Sequence, residues 1–356
     1  MSIAFNKSFW NGKKVLITGH SGFKGSWLTL LLNYLGAEVC GVSSAALNNN
    51  QELFTALNLD KYCDSYDLDI RNREVAEVFD KFQPSIVFHM AAQPLVRASY
   101  EIPFETYDIN VMGTLNILEN IRKSSSAAAS VFITTDKCYE NKEWAWGYRE
   151  NDPMGGFDPY SSSKACAELL IKSYQQSFSS ESLAISSVRA GNVIGGGDLS
   201  EDRLLPDIYR AIINNHEVKL RNPIATRPWQ HVLEPLIGYL MVAEDLFLSG
   251  HERNDSWNFG PNVTDIRTVS EIAKLFSSHW GVDNIIEDEN SENHHEAKSL
   301  SLDSSKAFFG LKWHPVWNVE KAILETAEWY KVLQNNDDVF TKTNKQIEEY
   351  ISNFKS

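Results

Sequence analysis

The chain of 356 residues contains no run of about 18 apolar residues, so no segment reads as a helix that spans a bilayer. It also lacks positive charge. Against 47 Asp and Glu stand 33 Lys and Arg, a net charge of −14. That balance argues against nucleic acid or an anionic membrane as partner, since either needs a basic face. It still permits a local basic pocket for a phosphate. Cysteine is scarce: Cys40, Cys63, Cys138 and Cys166 show no metal-like or redox-like spacing. Packing thiols in a reducing cytoplasm are the simplest reading. The opening MSIAFNKSFWNGKK has no apolar core of a signal peptide. There is no internal repeat, and Ser124–Ser130 is the one low-complexity stretch, read as a loop. His294-His295, in the acidic run Asp288–Glu296, has no spaced third ligand, so no metal site is expected.

What is present is an alternation of short apolar runs and amphipathic stretches through residue 190. It predicts strands at Lys14–Thr18, Glu38–Ser43, a segment ending Tyr66–Ile70, Ser85–Met90, a run at Val131–Ile133, and Leu183–Arg189. Helices are expected at Ser26–Leu35, from near Arg71 to Phe82, at Pro103–Arg122 and at Tyr160–Phe178. Strands alternating with helices imply an α/β fold, a doubly wound parallel sheet. Beyond residue 190 the rhythm breaks. Gly191–Gly197 reads as a loop, with helices at Arg203–Asn214, Val232–Leu248, Val269–Trp280 and Asn318–Val332. This part reads as a smaller, mixed domain covering the strand ends, and the polar stretch after Gln334 as a peripheral tail.

The first strand runs into Gly19-x-x-Gly22-Phe23-Lys24-Gly25. Glycines between a strand and a helix let the backbone approach a pyrophosphate, and the helix N-terminus offers free N–H groups. The acid that usually holds an adenosine ribose is missing after the second strand, where Gly41-Val42-Ser43-Ser44 stands, and no arginine replaces it. That test leaves NAD and NADP undecided. Asp69, followed by Ile70, suits either an adenine edge or the cap of the next helix. Ala91-Ala92-Gln93, after the fourth strand, are small enough at first to let a cofactor lie close. Asn110 is a polar group in mid-helix, directed at backbone or water near the catalytic strand, or exposed. His89, inside an apolar strand, reads as core.

The fifth strand ends in Thr134-Thr135-Asp136-Lys137, polar groups at the mouth of the sheet, where open α/β sheets bind ligands. After a turn-rich loop, Asp158 and Pro159 open a helix carrying Tyr160 and Lys164 on one face. A phenol is too weakly acidic to serve as a base at neutral pH; a nearby ammonium favours its ionised form. Such a pair can take a proton from an alcohol while hydride leaves the same carbon. Alone, Tyr-x-x-x-Lys is also a common surface pattern.

Taken together, the glycine turn, Ala91-Ala92, Asn110, Tyr160/Lys164, Arg189-Ala-Gly-Asn192-Val and Asp303-x-x-Lys306…Leu311-Lys-Trp313-x-Pro315 resemble the extended short-chain dehydrogenase/reductase family over nearly the whole chain. Thr135-Asp136 resembles the nucleotide-sugar 4,6-dehydratases within it. The strings GHSGFKGSW, AAQPLVRASY, TTDKCYENKEWAWGYRENDPMGG, GNVIGGGD and TRPWQHVLEP are similar to members acting on CDP-glucose. The resemblance implies NAD as cofactor, residues 1–188 with about 229–260 for the dinucleotide, and 189–228 with 261–333 for the nucleotide sugar. Residues 334–356 would be a tail. It implies Tyr160 as base at O4, Thr135 hydrogen-bonded to O4, Lys164 on the cofactor ribose, and Asp136 as acid to the departing 6-hydroxyl. Lys137 stands where dTDP-glucose relatives carry a glutamate base for C5; it acts as that base, assists by its charge, or is salt-bridged with an acid in Glu140–Glu143. Asn192, Arg203 and Arg227 match pyrophosphate contacts, with Asp202 or Asp207 as the alternative partner for Arg203. Helices Pro103–Arg122 and Tyr160–Phe178 resemble the family's dimer-forming pair, which implies a homodimer or homotetramer. The expected product is a 4-keto-6-deoxy sugar nucleotide for bacterial surface polysaccharide. A 4-epimerase of the same fold, or an NAD-sensing protein without turnover, are the rival readings.

Overall fold

The structure is a computed structural model that describes residues 5–47, 51–178, 183–220, 222–282, 285–287 and 298–354. His294-His295 and the whole acidic run Asp288–Glu296 lie outside the described residues. Seven strands form the central sheet: β1 (Lys14–Thr18), β2 (Glu38–Ser43), β3 (Asp64–Asp67), β4 (Ile86–His89), β5 (Ala129–Ile133), β6 (Ile185–Ala190) and β7 (Ser256–Phe259). Their order is β7-β6-β5-β4-β1-β2-β3, and every pairing is parallel. The doubly wound sheet expected from the alternation is therefore present. The chain reverses its direction of travel between β1 and β4, and at such a switch point a crevice opens beyond the strand ends.

Successive side chains of a strand point to opposite faces. Along β1, Val15 and Ile17 enter one core and Leu16 the other. The larger core lies under α1 (Phe23–Tyr34) and holds most of the buried tryptophans, among them Trp27, Trp313 and Trp329. The smaller core lies under α2 (Thr114–Lys123) and α3 (Pro159–Ser177). The start of α3 is set locally. The Asp158 carboxylate accepts from the Ser161 amide (2.9 Å) and hydroxyl (2.6 Å), with Pro159 at the first helical position. Among the described residues no helix is long and apolar enough to cross a membrane.

Three expectations need correction. The third strand stops at Asp67 rather than Ile70, because the Asp69 side chain accepts from the Arg71 amide and closes a turn; regular helix begins only at Val75. The helix expected over Pro103–Arg122 contains a π-helical stretch at Asp108–Gly113. There Asn110 turns inward, and Gly113 lies so close to Ile70 that a Cβ would meet its Cδ1 at 2.5 Å. Finally, the polar stretch after Gln334 is no peripheral tail. Helix Val339–Asn353 buries Val339, Ile347, Tyr350 and Ile351, and packs on both α1 and helix Val319–Gln334. Its polar residues are spaced so that one apolar face remains, and the Tyr350 hydroxyl reaches buried Glu234.

Candidate active site

The glycine turn combines two structural glycines with one that faces open space. Gly19 has φ +74°, and a Cβ there would lie 2.7 Å from the Ala91 nitrogen, so the turn after β1 touches the backbone after β4. A Cβ on Gly25 would lie 2.1 Å from the Gly19 oxygen. At Gly22 a Cβ would meet only that same oxygen, at 3.4 Å. The space above Gly22 is a cradle open to a ligand. No side chain caps α1 and no acid stands in its first turn, so its N–H groups and dipole face the crevice. These features fit the pyrophosphate of a dinucleotide.

His20 accounts for the altered end of β2. Its ring lies over Gly41, where a Cβ would come within 2.2 Å of it. Its nitrogens bond Ser43 Oγ (3.0 Å) and Ser65 Oγ (2.6 Å), and burial lowers its pKa to about 4. A neutral imidazole joins β2 to β3 just short of the point where a ribose-binding acid is missing. His89 is core, as read: it bonds Thr18 Oγ1 (2.7 Å) and Thr114 Oγ1 (3.0 Å), and burial lowers its pKa to about 3.

Three residues expected at the cofactor direct their side chains into the protein. Both Asp69 oxygens accept from Arg71, which also bonds Asp108 at 2.7 Å. The Asn110 amide accepts from the Gln93 N–H (2.8 Å) and donates to the Gln93 carbonyl (3.1 Å) and Ser163 Oγ (2.9 Å). The Gln93 side chain closes on the Leu95 backbone and Thr106. Asn110 and Gln93 therefore build the wall that Ala91 and Ala92 line, and Ile70 packs beneath it against Gly113.

Thr135, Asp136 and Tyr160 converge beyond β5. Thr135 Oγ1 donates to Asp136 Oδ1 (3.1 Å), accepts from the Lys137 amide (3.3 Å), and lies near enough to the Tyr160 phenol to favour its ionised form. Asp136 is buried, and among the described residues its Oδ2 has no hydrogen-bond partner. Burial raises its pKa, against the opposing pull of Lys137, Thr135, Arg227 and Lys24. A carboxyl held toward its neutral form, with one oxygen unclaimed, suits a proton donor. Tyr160 differs from expectation: burial pushes its phenol up to about 12, and the groups that pull it back are Thr135 and Arg203. Lys164 donates to the Ile133 carbonyl at 3.2 Å, and burial lowers its own pKa to about 8. Sequence spacing placed the two on one helical face, but desolvation outweighs the lysine in setting the phenol.

Cations ring the same crevice. Lys24 has its pKa lowered to about 8 by burial and by Arg203 and Lys164, with Asp136 and Asp198 opposing. Arg203 stands 3.6 Å from Asp198, and its Nε makes no hydrogen bond among the described residues. Asp202 and Asp207, its alternative partners by sequence, bond Arg97 and Arg210 instead. Arg227 is buried and donates to the Thr226 (2.8 Å) and Lys298 (3.4 Å) carbonyls. Asn192 leads out of β6 beside Gly191, where a Cβ would approach Asp136 Oδ2 to 3.0 Å. Glu140 and Glu143, proposed partners of Lys137, engage Lys142 and the Lys298 amide.

Sequence reading missed a buried group beneath this site. Glu168 accepts from Thr134 Oγ1 (2.5 Å), Ser187 Oγ (2.7 Å) and Arg189 Nε (2.9 Å) and Nη2 (2.6 Å). The signal was available: Glu168 follows Lys164 by four residues on the face that carries Tyr160.

The family model described as GDP-mannose 4,6 dehydratase matches residues 16–326. A curated CDP-glucose 4,6-dehydratase of Salmonella typhimurium is 47% identical over 356 residues, covering 98% of each chain. Among solved structures, a dTDP-glucose 4,6-dehydratase from Streptomyces venezuelae with NAD bound aligns with TM-score 0.79 at 20% identity, over 92% of this chain and 100% of that one. A UDP-glucose 4-epimerase from Stenotrophomonas maltophila aligns with TM-score 0.81 at 20% identity, over 91% and 99%. These two likenesses speak to the fold. On the family match and the near full-length relative, the chain belongs to the GDP-mannose 4,6 dehydratase family of extended short-chain dehydrogenases/reductases.

Proposed function

We propose that this chain is an NAD-dependent CDP-glucose 4,6-dehydratase, a hydro-lyase that converts CDP-glucose to CDP-4-keto-6-deoxyglucose and water. The single observation that carries the reading is the buried Asp136 carboxyl, with one unclaimed oxygen, beside Thr135 and Tyr160 at the mouth of the sheet. The near full-length likeness to a CDP-glucose enzyme favours cytidine. An epimerase has no need of an acid at O6, so Asp136 weighs against that rival.

The dinucleotide would lie along Gly19, Gly22 and Gly25, with the Phe23 and Lys24 amides at its pyrophosphate and Ala91 and Ala92 below. Bound NAD would accept hydride from C4 of the glucosyl unit and return it to C6. Tyr160 would take the O4 proton once Lys164 and the cationic ring of bound NAD favour its phenolate over the neutral form that burial holds in the free chain, and Thr135 would hold O4 in place. Lys164, its amine buried beside Ile133, turns to the cofactor ribose. The ketone at C4 acidifies C5–H. Lys137 serves at C5, as the base that takes its proton and gives one back as hydride reaches C6, or as the charge that favours the enolate between those two proton transfers. Asp136 gives its proton to O6 as the C6–O bond breaks and water leaves. Arg203, Arg227 and Asn192 hold the sugar diphosphate, where planar guanidinium forks can donate two bonds at once. The family helices Pro103–Lys123 and α3 expose Phe104, Met112 and Leu169, and we assign this face to a homodimer.

The test is to incubate the protein with CDP-, dTDP-, UDP- and GDP-glucose and NAD, following the alkaline absorbance of a 4-keto-6-deoxy product. CDP-glucose should be turned over at least about tenfold faster than the others, which corresponds to ~1.4 kcal/mol of discrimination. Absence of product from CDP-glucose would refute the reading.

A further inference from the structure

Tyr160 and Lys164, assigned to hydride transfer, stand on a helix, whereas Asp136 and Lys137, assigned to water loss, stand on a turn that Thr135 caps and that packs against this helix. Tyr160 and Lys164 are carried by α3, which is fixed by its Asp158 cap and by Ser163, bonded to Asn110. Asp136 and Lys137 belong to a short 3-10 turn, Asp136–Cys138, beyond the last paired residue of β5. Within the turn, Thr135 makes the two bonds described above. Beyond it, the Cys138 carbonyl accepts from the Gly155 amide (2.8 Å) and the Glu140 amide donates to the Pro153 carbonyl (2.9 Å), and the side chain that ties this stretch to the sheet is that of Tyr139.

Tyr139 is 1% exposed, and its hydroxyl has a partner on each side. It accepts from Arg189 Nη1 (2.6 Å) and donates to Asn258 Oδ1 (2.8 Å). The partners lie on β6, which pairs with β5, and on β7, which pairs with β6. The Arg189 guanidinium also lies over the Tyr139 ring, 5.0 Å from its centroid, and the Tyr148 ring stacks on that of Tyr139 with centroids 5.2 Å apart. Arg189 is itself fixed from behind by its two bonds to buried Glu168. Asn258 is fixed by donating to the Tyr148 carbonyl at 2.8 Å. One phenol thus joins the far end of the turn to two strands whose positions do not depend on the turn.

We propose that Tyr139 is a positioning residue for the water-loss half of the reaction: its hydroxyl, held between Arg189 and Asn258, sets the orientation in which Asp136 and Lys137 face C5 and C6 of the hexose. The inference rests on the dehydratase reading above. Hydride abstraction at C4 depends on Tyr160 and α3 and is not routed through Tyr139. A misplacement of about 1 Å at a reacting group can cost on the order of a hundredfold in rate. The effect of losing the hydroxyl should therefore fall on one half-reaction.

The experiment compares wild type with Tyr139→Phe, which keeps the ring and removes the hydroxyl. CDP-glucose is added to the NAD-loaded enzyme in deuterium oxide. Cofactor reduction is followed in a single turnover, and deuterium uptake at C5 and C6-deoxy product are followed by NMR. Tyr139→Phe should leave the rate of cofactor reduction within about twofold and slow product formation by about tenfold or more, so that reduced cofactor accumulates. Ser187→Ala removes a donor from the same network at Glu168, away from the turn, and should leave the ratio of the two rates unchanged. If Tyr139→Phe fails to fold, Asn258→Ala, which frees the hydroxyl from its other side, should show the same split. Equal slowing of both steps, an unchanged ratio, or an equal shift in Ser187→Ala would overturn the inference while leaving the dehydratase reading intact. Absence of product from CDP-glucose with the wild type would overturn both.

Discussion

Gly22 and Gly25 look interchangeable in the sequence, and the structure separates them. Gly22 has φ −76° and ψ 175°, a conformation alanine adopts freely. Its Cβ would meet only the Gly19 oxygen, at an ordinary contact distance of 3.4 Å. Restricting the unfolded chain favours Gly22→Ala by about 0.4–1 kcal/mol. Alanine is a poorer N-cap than glycine by a comparable amount, so the net change is within about 1 kcal/mol of zero. Gly25→Ala should gain about 1 kcal/mol from helix propensity. Its Cβ, however, would lie 2.1 Å from the Gly19 oxygen and 2.7 Å from the His20 Cα. Both are backbone atoms of a turn already pressed on Ala91, so relief requires the turn to move. Overpacking of this kind costs about 1–3 kcal/mol or more, and here it exceeds the propensity gain. Thermal and urea unfolding of nucleotide-free protein should place Gly22→Ala within about 3 °C of wild type and Gly25→Ala well below it. Calorimetric titration should then show NAD binding to the stable Gly22→Ala weakened by about tenfold or more, ~1.4 kcal/mol, because the methyl occupies the cradle. Wild-type NAD affinity in a folded Gly22→Ala, or wild-type stability in Gly25→Ala, would refute the reasoning.

Three other outcomes concern the site and the C-terminal helix. Asp136→Asn should retain C4 oxidation, read as single-turnover cofactor reduction, while water loss falls by about a hundredfold or more, and Tyr160→Phe should abolish the reduction itself; equal effects on both steps in Asp136→Asn would remove it as the acid. Burial raises the Glu234 pKa from 4.5 to about 7, despite bonds from Tyr350 and the Val316 and Trp317 amides. Between those two values the folded chain binds a proton that the unfolded chain has released, so stability is full below the lower value and falls as pH rises through the upper one. Urea titrations across that window should show wild-type stability declining relative to Glu234→Gln by up to about 3 kcal/mol; a difference between the two that stays flat or moves the other way as pH rises would contradict it.

Much of the fold was legible because it is local. The strand-to-helix alternation, the Asp158-Pro159 start of α3 and the glycine turn each depend on neighbours within about four residues, where propensity and periodicity act. The same locality placed Tyr160 and Lys164 on one face and Asp136 at a strand end. It failed where a side chain answers to a distant segment. Asn110, by bonding Gln93 and Ser163, turns a helix expected to be regular into a π-helical turn. Helix Val339–Asn353 reads as polar until α1, helix Val319–Gln334 and Glu234 supply partners for its narrow apolar face.

The sequence alone determined which chemical groups this protein can bring to a reaction, and on which strand end or helix turn each one stands, since short-range geometry fixes both. Only the tertiary structure decided their ionisation and their supports. Tyr160 is raised to about 12 rather than lowered, Asp136 is held toward its neutral form, and Arg189 is gripped by Glu168 beneath the catalytic turn. Desolvation is the reason: the cost of a charge depends on everything packed around it, and that packing comes from segments far apart in the chain.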